Sequence, residues 1–85
     1  MDLRMYLVNA RQSIGYSQRR TARESGISYQ HYAKIESGDR GKKVSFLTIG
    51  RIATVLGISL DDLYQLEKSY LEELELSNES SNYWF

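Results

Sequence analysis

The chain contains no cysteine and no proline in its 85 residues. Without cysteine there is no disulfide framework and no thiolate metal site. The single histidine, His31, has no thiol to join it, so no bound metal is expected. Long apolar runs are missing as well. No stretch approaches the roughly 20 residues of a membrane span, and nothing at the amino end reads as a secretory leader. The expectation is a cytoplasmic protein of one domain with no membrane contact. Apolar residues alternating with period two are lacking, which argues against strands. The lack of proline suits short helices joined by glycine-marked turns. The residues of an enzyme are absent too. There is no nucleophile beside a base and no phosphate-cradling glycine loop, so neither catalysis nor a cofactor is expected.

Net charge is zero, but the average hides a division. Residues 1–43 carry nine lysines and arginines against four acids, a balance of +5. Residues 44–85 carry two against seven, a balance of −5. Such asymmetry suits a chain that offers one end to an anionic partner.

What the chain does have is helical spacing and helix punctuation. Asp2 reads as the cap of a helix over 3–13, with Leu3, Leu7, Ala10 and Ile14 on one face and Gly15 as its stop. Ser17 caps 18–25, which Gly26 ends, and Ser28 caps 29–37, which Gly38 ends. A charged loop over 39–43 follows. Ser45 caps the next helix, whose stripe is Phe46, Ile49, Ile52, Ala53 and Leu56, and Gly57 stops it. Ser59 and Asp62 have capping-box spacing ahead of a long last helix reaching about residue 76. Its apolar positions are Leu60, Leu63, Tyr64, Leu66, Tyr70, Leu71 and Leu74. A polar, flexible tail over 77–85 closes on Tyr83, Trp84 and Phe85. The fold class expected is all-α, with five helices in one array over 1–76.

The segment 17–38 is the most informative. Two short helices joined by a tight glycine turn are the layout of a helix-turn-helix, whose second helix enters a DNA groove. The motif is Ser17 and Gln18, then Ala22, then Gly26 and Ile27, then Ile35, Glu36 and Gly38. With GISLDDL over 57–63, it resembles the lambda-repressor-like (Cro/CI) helix-turn-helix family across roughly residues 3–66. Ala22 suits a close helix crossing, and Ile27, Tyr32 and Ile35 are expected to face inward. Two positions depart from the family pattern. Thr21 stands where leucine is usual, and Ser25 where a large aliphatic is common. Either the first helix of the motif packs less firmly, or Thr21 bonds back to its own helix.

The resemblance implies a DNA-binding transcription regulator and assigns roles. Tyr29, Gln30 and Lys34 are expected to reach base edges, Gln30 pairing with adenine and Lys34 donating to guanine. Gln18, Ser28, Arg40, Lys42 and Lys43 are expected at phosphates, with His31 beside them. Arg11 and Glu36 are expected to pair. Too few base pairs are read by one module for specificity, so a homodimer on a palindromic double-stranded operator is expected. Leu63, Leu66, Tyr70, Leu74 and Trp84 are the interface candidates. Family members of this size include repressors of phages and mobile elements and controllers of restriction–modification operons. A different reading is an antitoxin that binds a toxin through the aromatic tail. A third, a single-strand binder using its seven tyrosines, fits less well because Tyr32 sits at a core position.

Overall fold

The computed structural model describes residues 3–39 and 44–77. Five helices follow in order: α1 (Met5–Ser13), α2 (Gln18–Ser25), α3 (Tyr29–Ser37), α4 (Phe46–Leu56) and α5 (Leu60–Ser77). No strand occurs among the described residues. The serine and glycine signals set nearly every boundary. Ser17, Ser28, Ser45 and Ser59 accept hydrogen bonds from the backbone N–H of Arg20, His31, Thr48 and Asp62, at 3.0–3.1 Å. Each satisfies one of the donors that a helix start leaves free. Gly26 and Gly38 close α2 and α3 in the left-handed region, at φ +76° and +80°. A β-carbon at Gly26 would meet nothing within 4 Å, so the glycine is needed for its backbone angle alone.

The core joins Leu7 of α1, Ala22 of α2, Tyr32 and Ile35 of α3, four residues of α4 and Leu63 of α5. Ile27, Tyr16, Val44, Val55 and Ile58 pack against its rim. Ile49, Ile52, Ala53 and Leu56 make α4 the most apolar helix, and α2 and α5 lie against it. With Ala22 almost wholly enclosed, α2 also packs closely on α3.

The expected stripes of α1 and α4 are right in their middles and wrong at their ends, and on α5 Tyr64 and Leu66 are exposed as well. Leu3 precedes α1, Ile14 follows it, and Phe46 and Leu60 are the first residues of α4 and α5. All four are exposed, Phe46 at 70%. A side chain at a helix terminus has neighbours on one side only, and among the described residues these four stay uncovered. Helix α1 also begins two residues later than its pattern implies, at Met5 rather than Leu3. Asp2, the expected cap, lies outside the described residues, as does the 40–43 part of the loop.

The two departures on α2 resolve differently. Thr21 is fully buried, and its hydroxyl donates to Ser17 O at 2.9 Å, the back-bonded alternative. The Ser25 hydroxyl is also buried and has no hydrogen-bond partner among the described residues. An unsatisfied buried hydroxyl is destabilising by roughly 1–3 kcal/mol. Ser25→Ala is therefore expected to stabilise the fold by about 1 kcal/mol, raising Tm by about 4–8 °C in a domain this small. A Tm equal to or below that of the wild type in a thermal melt would show that Ser25 is bonded in solution.

Candidate nucleic-acid interface

Two buried ionic clusters hold α3 in place. The first centres on Glu36, in the last turn of α3. Arg11 grips its carboxylate with two parallel bonds, Nε to Oε2 at 2.8 Å and Nη2 to Oε1 at 3.0 Å. Tyr32 donates its hydroxyl at 2.7 Å and Gln18 its amide at 2.6 Å. Arg11 Nη1 reaches on to Tyr16 O at 3.0 Å. One carboxylate thus ties α1, α2 and α3 together. Burial by itself would raise the Glu36 carboxyl, but bonds from Arg11, Tyr32 and Gln18 outweigh it and hold the group below the usual carboxylate range. Burial and the bond to Glu36 push the Tyr32 phenol up, so it stays a donor. The expected pairing of Arg11 with Glu36 is present. Gln18, expected at phosphate, places one of its two amide N–H donors on Glu36.

The second cluster has no counterpart in the sequence reading. Arg4 is wholly buried. Its backbone N–H donates to Glu36 O at 2.9 Å, and its Nη1 to Ile35 O at 2.8 Å. Both acceptors belong to the final turn of α3, where helix carbonyls lack intrahelical partners and favour a cation. The other edge of the guanidinium meets Glu67 of α5, with Nη2 to Oε2 at 2.8 Å. Tyr6 donates to Glu67 Oε1 at 2.5 Å, and the ring of Tyr70 lies 4.4 Å from the guanidinium carbon. This explains the late start of α1: Arg4 leaves the helical path to close the end of α3. The carboxylate of Glu67 accordingly turns inward, toward Arg4 and Tyr6.

With Tyr32, Ile35 and Glu36 buried, the 3.6-residue period leaves Gln30 and Lys34 exposed and Tyr29, His31 and Ala33 half-covered. Tyr29 is the least free of the three expected base readers, because the Arg19 guanidinium of α2 lies 4.3 Å above its ring. Ser28 is exposed, with its hydroxyl oxygen already accepting from His31 N–H. Arg20 pairs with Glu24 at 2.9 Å and stacks on Tyr16 at 4.0 Å. Every carboxylate on α2 and α3 is therefore paired, whereas Arg19, Arg23 and Lys34 form no ion pair among the described residues. The two helices present a net cationic surface.

Of the expected dimer residues, Leu63 belongs to the monomer core and Tyr70 is buried against Arg4. Both are enclosed within one chain and drop out of a surface role. Leu66 is exposed at 38%, Leu74 is half-buried, and Trp84 lies outside the described residues, as do Arg40, Lys42 and Lys43. Among the described residues no helix is long and apolar enough to cross a membrane, and no acidic or histidine cluster is placed to hold a metal ion.

Arg4, Glu67 and Arg19 are the residues that sequence reasoning missed. Arginine is a surface residue on general grounds, and no local pattern marks one that is buried. The comparisons agree with the geometry. A family profile described as helix-turn-helix matches residues 7–63, from the core leucine of α1 to the core leucine of α5. Neither curated proteins nor solved structures give a match. The family is one of DNA-binding regulators and is generally non-enzymatic. On this profile and this fold, the chain belongs to the helix-turn-helix family of XRE-type, Cro/CI-like DNA-binding transcription regulators.

Proposed function

We propose that the protein is a repressor that binds a palindromic double-stranded operator as a homodimer and blocks transcription by occupying it. The observation that carries this reading is the outer face of α3. Gln30 and Lys34 stand exposed and unpaired there, beside the unpaired Arg19 and Arg23 of α2. A helix entering the major groove needs that combination of base-matching polar groups on its crest and positive charge at its shoulders. Gln30 presents both amide groups to adenine, and Lys34 donates to the acceptors of guanine. His31 and the backbone at Ser28 lie toward phosphate. The second subunit joins through α5, where Leu60, Tyr64 and Leu66 are exposed apolar residues on a helix of 18 residues. In that arrangement the two α3 helices sit about 34 Å apart, one turn of the duplex.

Selection of bound sequences from a random duplex pool tests the reading. Two inverted half-sites about one turn apart are expected; recovery of no enriched duplex would sink it. Lys34→Ala is expected to weaken the enriched duplex by about 5-fold or more while weakening a scrambled duplex much less, as follows from a base contact of about 1–3 kcal/mol. Titrations at fixed salt measure both. Equal losses on the two duplexes would remove Lys34 from the residues that read sequence.

A further inference from the structure

We propose that Arg19 and Tyr29 together form a phosphate clamp, in which the tyrosine ring is the platform for the arginine and does not itself read a base. The inference rests on the reading of α3 as the groove helix. Arg19 lies in the first turn of α2, and Tyr29 is the first residue of α3. The 4.3 Å stack brings the amino ends of the two motif helices together. Where the first helix of such a motif crosses the DNA backbone and the second enters the groove, this junction faces the phosphates that wall the groove. The amino-end dipoles of both helices add positive potential there.

The chemistry of the pair fits that position. A guanidinium lying over an aromatic face uses only its π surface. Its N–H donors lie in the plane and point outward, free to take a phosphate in a bidentate fork. Stacking also restricts a long side chain that would otherwise lose much rotamer freedom on binding. The Arg20–Tyr16 stack is the contrast within the same helix. Arg20 has the ring as well, but its Nε is bonded to Glu24 at 2.9 Å, so its charge is neutralised. Arg19 has no carboxylate beside it among the described residues. Of the two stacked arginines it alone keeps its charge and its edge available. The ring of Tyr29, covered on one face by Arg19, is correspondingly withdrawn from base contact, leaving sequence reading to Gln30 and Lys34.

Titrations over a range of salt, with the enriched duplex and a scrambled duplex of the same length, test the clamp. Arg19→Ala is expected to lower affinity for both by a similar factor, about 5–10-fold near 0.1 M salt, and to reduce the slope of log K against log salt by about 0.9. Arg19→Lys keeps the charge but loses the planar fork, and is expected to recover less than half of that factor on the logarithmic scale. Tyr29→Phe keeps the ring and is expected to match the wild type. Tyr29→Leu is expected to lower both duplexes together, and to add little once Arg19 is alanine. An unchanged salt slope in Arg19→Ala overturns the clamp. So does a Tyr29→Leu loss confined to the enriched duplex. Arg19 is exposed, so its variants keep the fold and carry the test even where Tyr29→Leu does not. A wild-type protein that binds neither duplex would remove the groove reading along with the clamp, whereas binding with an indifferent Arg19 would remove the clamp alone.

Discussion

Replacing Glu67 by alanine is expected to destabilise the fold by about 4 kcal/mol and to lower Tm by about 15–30 °C. The size follows from what remains. Arg4 has no exposed surface, so its guanidinium cannot turn to water when its counter-charge is removed. Removing one partner of a buried ion pair destabilises by about 3–5 kcal/mol, several times a surface ion pair. The hydroxyl of Tyr6 would be orphaned in the same step. A domain of 85 residues has a total stability of roughly 4–13 kcal/mol, so the variant lies near the threshold of folding. Two companions separate charge from shape. Glu67→Gln keeps acceptors for Arg4 and Tyr6 and is expected to lose about half as much. Arg4→Met combined with Glu67→Leu removes both charges and is expected to recover most of the loss, because a buried ion pair is often replaceable by apolar packing. The carbonyl of Ile35 would still hold the N–H of Gly38, at 3.3 Å. Urea unfolding of the four proteins decides the matter. A loss below about 1 kcal/mol in Glu67→Ala would mean that the Arg4 guanidinium is satisfied without Glu67.

The second large effect belongs to Glu36. Glu36→Ala leaves four donor groups, two from Arg11 and one each from Gln18 and Tyr32, without their shared acceptor. The expected loss is about 3 kcal/mol, smaller than at Glu67 because Arg11 retains some exposure and can reach water. The carboxylate also gives the loss a pH signature. Its pKa in the folded state is below the ordinary value of about 4.3, so the folded state favours the ionised form. The stabilisation is fully present above about pH 5 and is lost as pH falls through the lowered folded value. Wild-type stability is therefore expected to decline as pH falls below about 5, and Glu36→Gln to decline less steeply over the same range. Parallel slopes for the two proteins would assign the acid sensitivity to other carboxylates.

How much of this was legible in the sequence depends on the range of the interaction. Caps and stops are local, so Ser17, Gly26, Ser28 and Gly38 gave the limits of α2 and α3 to the residue. The outward face of α3 was legible by the same logic. Once Tyr32 and Ile35 are assigned to the core, helical period leaves Gln30 and Lys34 outside. The Arg11–Glu36 pair was legible only through family resemblance, since the two residues lie 25 positions apart. Arg4 was not legible at all. Its partners are the last carbonyls of one helix and a carboxylate 63 positions away, and neither leaves a mark in the local pattern. The Arg19–Tyr29 stack crosses from one helix to the next and was missed for the same reason. Gln18 shows a further limit. Its place at a helix start suggested phosphate, and nothing local shows that one of its amide donors is held by a carboxylate 18 positions away.

The separation between Arg4 and Glu67 also orders events during translation. Synthesis at about 5–20 residues per second releases Glu67 from the ribosome roughly 3–12 s after Arg4. Through that interval the nascent helix-turn-helix carries Arg4 without the carboxylate of Glu67. The brace that runs from α5 through Arg4 to the end of α3 therefore forms only after the helix-turn-helix itself has been made.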